Sequence, residues 1–288
     1  MFEGSYVAII TPFAGSKVDE KKYAELIEFQ IENGIDGIVP CGCTGEAATL
    51  SHEEQNRTIA FASEVVRKRV KVVAGTGSNN TEEAITLTRY AKESGADGAL
   101  LITPYYNKPT PEGQFRHYEK IAKEVDIPIM LYNVPSRTGI SMLPETVARL
   151  SKISNIVAIK EASGSLDQVS AILAQCDIEV LSGDDSLTLP MMALGAKGVV
   201  SVIANVVPKD VADMVNAYLE GDIEKAKSLH FKLLPICKAM FIETNPIPVK
   251  TAMKLMGRSN GRFRLPLCEM SDSNVPKLKD ALKEYGLI

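Results

Sequence analysis

Short apolar runs and segments of helical period alternate along this chain eight times over, and few folds accommodate that pattern. The strand-like runs fall at residues 7–10, 37–41, 70–74, 99–103, 128–132, 156–160, 179–181 and 198–202. Helical period follows them, most plainly over 19–33, 51–67, 81–94 and 112–124. The runs are continuously apolar rather than alternating, as expected of parallel strands with helices on one face and a packed core on the other. Ser51 with Glu54 three residues on reads as a capping box, and Asn33-Gly34 and Ser94-Gly95 read as helix stops. Open doubly wound sheets usually end at about five or six strands. Eight units therefore predict an α/β chain folded as a (β/α)8 TIM barrel. No Gly-x-Gly-x-x-Gly opens a helix after the first run, which disfavours a dinucleotide fold.

Past the eighth run the pattern is helical only, over 208–219, 223–240, 246–256 and 275–285. The last three exceed what a barrel needs, so residues 1–220 are assigned to the barrel and 221–288 to a small C-terminal helical domain, with 263–266 as a loop inside it.

A net charge of -4, without a lysine- or arginine-rich run, argues against a nucleic-acid or anionic-membrane partner. No apolar stretch approaches the roughly 18 residues of a membrane span, and the first residues lack the pattern of a secretory leader. The expectation is a cytoplasmic protein acting on a small molecule. Five scattered cysteines suit reduced thiols, most of them in the core, and three scattered histidines make no metal cluster.

Lys160 ends the sixth apolar run. A lysine there is either a chain whose ammonium reaches out to water or a desolvated amine able to attack a carbonyl. Active sites of such barrels lie at the C-terminal strand ends, so the residues after each run form one rim. That rim holds Cys43, Thr44, the Tyr105-Tyr106 pair, whose side chains are expected to diverge from an extended loop, Tyr132, Arg137, Lys160, Gly183 and the Asp184-Asp185 pair. A phenol can shuttle protons, and an arginine fork can bind a carboxylate. Taken alone, a strand-end tyrosine is more often a packing residue and an isolated arginine usually a surface charge, and it is their convergence on one rim that favours a site. Two aspartates after the seventh run, in place of a glycine-rich loop, disfavour a phosphorylated substrate.

Gly42-Cys43-Thr44-Gly45-Glu46, Tyr105-Tyr106-Asn107, Tyr132 through Gly139, Lys160 through Gly164, Ser182 through Asp185 and Asn245 through Lys250 together resemble the dihydrodipicolinate synthase family. That family belongs to the class I aldolase superfamily that includes N-acetylneuraminate lyase. The resemblance implies condensation of pyruvate with aspartate 4-semialdehyde, without a cofactor or metal, on the route to lysine and diaminopimelate. Lys160 matches the Schiff-base lysine, Tyr132 the central acid–base tyrosine, and Tyr106 a tyrosine lent across a dimer interface. Thr44 matches a binder of the pyruvate carboxylate, Arg137 the arginine serving the semialdehyde, and Gly183 a pocket-lining position. The carbonyl of Val200 matches an acceptor near the lysine. Homotetramers built as dimers of dimers are implied as well.

Cys43 departs from the pattern, since a threonine usually bridges the two relay tyrosines there. An inhibitory lysine site is partly matched by His52, Asn79, Glu83 and Tyr105, whereas Ala47 and Gln55 depart from it, which leaves feedback open. The rivals are a sibling lyase acting on N-acetylneuraminate or a 2-keto-3-deoxy sugar acid, and a catalytically silent barrel serving as sensor or scaffold. Arg137 disfavours the first, because a polyhydroxy substrate calls for hydroxyl-bonding groups. A reactive amine disfavours the second, because binding alone does not need one.

Overall fold

The computed structural model describes residues 1–288. Eight parallel strands close into a barrel: β1 (Gly4–Ala8), β2 (Gly37–Val39), β3 (Lys71–Gly75), β4 (Gly98–Ile102), β5 (Ile129–Asn133), β6 (Ile156–Glu161), β7 (Glu179–Ser182) and β8 (Gly198–Ser201). The seam pairs β1 with β8, Gly4 opposite Gly198. A Cβ on Gly198 would lie 1.9 Å from the carbonyl oxygen of Gly4, and its φ is +147°, so closure there requires glycine.

The wrapping helices are α1 (Glu20–Glu32), α2 (His52–Val66), α3 (Thr81–Glu93), α4 (Pro111–Glu124), the single turn α5 (Pro135–Thr138), α6 (Pro144–Leu150), α7 (Leu166–Leu173), α8 (Thr188–Leu194) and α9 (Pro208–Leu219). The capping box at the start of α2 is complete, Ser51 accepting from the Glu54 amide and Glu54 from the Ser51 amide. A two-stranded hairpin, Phe13–Ala14 with Lys17–Val18, interrupts the first loop.

Alternation along each strand sorts the side chains into two layers. In β6, Ala158 belongs to the barrel interior with Met130, Leu181 and Val200, while Ile159 belongs to the layer between strands and helices. Residue 160 therefore points inward, along with Ala158. In β5, Met130 and Tyr132 face in and Leu131 faces out.

After Gly221 come α10 (Ile223–Ala239), α11 (Ile247–Leu255) and α12 (Val275–Tyr285), as the helical periodicity predicts. Leu233, Ile236, Val249, Ala252, Leu278 and Leu282 share one apolar cluster with Leu26 and Ile27 of α1 and Val211 and Val215 of α9. Two further pins cross the same boundary. The Lys250 ammonium and the Glu46 carboxylate form an ion pair with no solvent exposure on either side chain, and Lys250 also donates to the Thr11 carbonyl at 2.9 Å. Arg264, in the 263–266 loop, grips Glu54 through both carboxylate oxygens at 2.6 and 2.7 Å. Breaking a buried pair such as Glu46–Lys250 by removing one partner costs about 3–5 kcal/mol.

Three expectations need correction. The first strand is Gly4–Ala8 rather than 7–10: Ile9 and Ile10 are buried, but the Ile10 amide donates to Asn205 Oδ1 (3.0 Å) and not to a strand neighbour. Of the cysteines only Cys41 and Cys237 are buried, because Cys43 and Cys176 sit at partly open loops and Cys268 is exposed. The Tyr105-Tyr106 segment is not extended. Tyr106 has φ +68°, and the Asn107 amide donates back to the Tyr105 carbonyl at 2.8 Å.

Candidate active site

Register places the two central residues side by side: Tyr132 on β5 is the strand partner of Lys160 on β6, and both point into the barrel. The Lys160 amine lies 4.4 Å from the centre of the Tyr132 ring. Lys160 is only 5% exposed, so its chain does not reach out to water. Burial lowers its pKa below the ordinary lysine value, and Arg137 pushes the same way, while Cys43, Asp185 and Asp184 oppose the shift. Burial likewise raises the pKa of Tyr132, helped by the neighbouring Cys43 and opposed by Arg137. The result is an amine readier to lose its proton than usual beside a phenol that keeps its own. That is the protonation state needed to attack a carbonyl and deliver a proton to its oxygen.

A cavity of about 480 Å³ opens above this pair. Cys43, Thr44, Arg137, Gly183 and Asp184 line it with Tyr132 and Lys160, so most of the rim foreseen from the sequence converges. Gly183 lies against the lysine stem. Asp184 accepts from the Gly164 amide at 3.0 Å, and burial raises its pKa. Beneath it Asp185 is fixed by the Ser201 hydroxyl and the Val202 and Ile203 amides.

The far wall comes from the C-terminal segment, a contribution that strand-end reasoning missed. Asn245 Nδ2 donates to Thr44 Oγ1 at 2.9 Å, and the Asn245 carbonyl accepts from Arg137 Nη2 at 2.9 Å. The Asn-Pro-Ile-Pro-Val-Lys motif signalled this segment, but only as part of a resemblance.

Two residues stand elsewhere. Val200 is fully buried in the barrel interior with Tyr132 and Leu181 and does not line the cavity. Tyr106 is 89% exposed and lines neither its own chain's pocket nor the cavity beside it. A second cavity, about 610 Å³, adjoins the first across Cys43, Tyr132 and Arg137. His52, Glu83 and Tyr105 line it, with His52 Nε2 2.9 Å from Glu83 Oε1, and so do Ala47 and Gln55. Asn79 is not in that wall, and its carbonyl instead accepts from Asn107 Nδ2 at 2.8 Å. Burial, then the Glu83 charge, raises the pKa of Tyr105.

An amine held dry inside a barrel, beside a phenol and below hydroxyl and guanidinium groups, defines an enzyme of the class I aldolase type. Residues 1–285 match the Dihydrodipicolinate synthetase family. The 4-hydroxy-tetrahydrodipicolinate synthase of Geobacter sulfurreducens is 61% identical over 290 residues, covering all of both chains. Among solved structures, the dihydrodipicolinate synthase of Aquifex aeolicus superposes with TM-score 0.98 at 52% identity, covering 99% of each chain. The chloride-inhibited synthase of Acinetobacter baumannii, complexed with pyruvate, gives TM-score 0.98 at 44% identity over the whole of both chains. The chain belongs to the dihydrodipicolinate synthetase family.

Proposed function

We infer that the chain condenses pyruvate with L-aspartate 4-semialdehyde to 4-hydroxy-tetrahydrodipicolinate, a step toward lysine and diaminopimelate. The observation that carries this reading is the inward, desolvated Lys160 amine beside the Tyr132 phenol, in a chain related end to end to synthases of that name.

The neutral Lys160 amine adds to the pyruvate ketone, and the Tyr132 phenol supplies the proton that lets the oxygen leave as water. Loss of a methyl proton from the resulting imine gives an enamine, whose carbon attacks the aldehyde of the second substrate. The semialdehyde's own amine then attacks the imine carbon, closing the ring and returning the lysine, so that one water is lost overall. Thr44 receives the pyruvate carboxylate and Arg137 the semialdehyde carboxylate, each a charge-assisted bond. Tyr106, from a partner subunit, connects Tyr132 to solvent.

Three further assignments belong to the same reading. The protein works in the cytoplasm as a homotetramer. Residues 221–288 act as a helical appendage that finishes the pocket wall. The second cavity is the place where lysine would act on the enzyme, through His52, Glu83 and Tyr105.

One comparison of turnover tests the reading: pyruvate with aspartate 4-semialdehyde, against N-acetylneuraminate and 2-keto-3-deoxygluconate. Condensation at a rate far above either cleavage is expected. Faster cleavage of a sugar acid makes the chain a sibling lyase, and no turnover of any of the three leaves only a binding role.

A further inference from the structure

Thr44 Oγ1 has one protein partner, the amide nitrogen of Asn245, which donates to it at 2.9 Å. A hydroxyl that accepts from an amide still has its own hydrogen to give. Both residues are buried, Thr44 at 2% and Asn245 at 5% exposure, and both line the cavity over Lys160. Asn245 Oδ1 is itself buried without a partner. Turning the amide over would satisfy that oxygen with the Thr44 hydrogen, but it would leave the hydroxyl with nothing to offer a ligand. An unpaired buried acceptor calls for an explanation, and here the explanation lies in the neighbouring hydroxyl.

We propose that Asn245 is a positioning residue for pyruvate, holding the Thr44 hydroxyl as a donor aimed at the substrate carboxylate. This rests on the reading of Thr44 as the pyruvate-carboxylate binder. The loop carrying Thr44 is secured without Asn245: Thr11 Oγ1 donates to the Gly45 carbonyl at 2.6 Å, and Glu46 is locked to Lys250. The segment carrying Asn245 is anchored through the same Lys250. Removing the amide therefore leaves both backbones in place and frees the hydroxyl to rotate. The Asn245 carbonyl, which receives Arg137, is unaffected by a side-chain change.

A double-mutant cycle tests the coupling. Imine yield after borohydride reduction is titrated against pyruvate for wild type, Thr44→Val, Asn245→Ala and the double variant. Each single substitution should raise half-saturating pyruvate by about tenfold, the scale of one charge-assisted hydrogen bond. The double variant should be no worse than Thr44→Val, and the KM for aspartate 4-semialdehyde should stay close to wild type in Asn245→Ala. Asn245→Asp is nearly isosteric and keeps the test available if the alanine form folds poorly. Its carboxylate can only accept, so it should capture the Thr44 hydrogen and weaken pyruvate capture. Wild-type saturation in Asn245→Asp, or additive penalties in the cycle, overturns the proposal while leaving Thr44 as the binder. If Thr44→Val saturates like wild type, the assignment of Thr44 fails and the proposal fails with it.

Discussion

The empty side-chain position of Gly183 is the room in which the Lys160 stem lies: a Cβ built there would stand 2.9 Å from Lys160 Cε and 2.6 Å from Ala162 Cβ. Gly183→Ala therefore has to displace the reactive lysine or shift the strand end. Overpacking of this kind costs about 1–3 kcal/mol, and part of it should fall on catalysis. The rate of borohydride-trapped imine formation is expected to drop by about tenfold or more. A normal trapping rate with unchanged thermal stability would show that the stem has space to spare.

Lys160 has a pKa lowered by burial, and the sign of its pH dependence follows. Imine formation should climb with pH up to that lowered value and then level off, because only the neutral amine attacks. Asp184 opposes the shift, so Asp184→Asn should move the climb to lower pH. In stability the same group is a liability. The unfolded chain binds its proton more tightly than the folded one, so the cost is fully present below the folded pKa and fades as pH rises through the ordinary lysine value. Lys160→Met should thus unfold at higher denaturant than wild type at neutral pH, with the advantage shrinking at alkaline pH. Its condensation rate should fall about a thousandfold or more.

Arg137→Lys keeps the charge but loses the two-pronged fork. The KM for semialdehyde should rise about tenfold to a hundredfold, with pyruvate imine formation much less affected. Equal losses in both steps would place Arg137 on pyruvate instead.

Tyr106 sits at the surface on a left-handed backbone, so any catalytic use of its phenol must be at a neighbouring subunit's pocket. Tyr106→Phe should lower condensation about a hundredfold. Mixing it with Lys160→Ala subunits should recover activity in hybrids, since one pocket type then has both groups. Subunit exchange verified by mass, without recovery, would refute this.

Cys43 is hydrogen-bonded to the Tyr132 phenol and lines both cavities, sharing the second with Tyr105. A thiol donates and accepts hydrogen bonds poorly, so Cys43→Thr should speed condensation while pyruvate imine formation stays nearly constant, and Cys43→Val should slow it strongly. Small alkylating agents should inactivate the enzyme, with pyruvate protecting. Identical rates for all three forms would take Cys43 out of proton transfer.

The barrel was readable in the sequence because fully buried strands carry an unbroken apolar signature. Its limits show at Ile9 and Ile10, which are as apolar as any strand residue: the Ile9 amide still reaches the Val39 carbonyl at 3.3 Å, but the Ile10 amide is taken by the Asn205 side chain and the ladder ends there. Helices α6, α7 and α8 span only seven or eight residues each, too short for periodicity to declare them. At the site, Lys160 and Tyr132 were legible because strand ends map directly onto the barrel mouth. The Thr44–Asn245 bond was not, since it joins positions 201 residues apart through a loop whose path no local pattern encodes. Tyr106 is placed on the rim by its position after the fourth run, but its role across a subunit interface rests on resemblance, and its exposure gives that role a physical basis only between subunits.

The buried ion pair between Glu46 and Lys250 also sets an order of events during synthesis. Strands β1 to β8 are complete once residue 201 has been made, yet the pocket still lacks its far wall and Glu46 still lacks its counter-ion. At the usual rate of about 5–20 residues per second, several seconds separate barrel closure from the emergence of Lys250 from the ribosome. For that interval the nascent barrel carries an unpaired interior carboxylate and an open mouth. The last quarter of the chain is thus the step that turns a closed sheet into an enclosed reaction chamber.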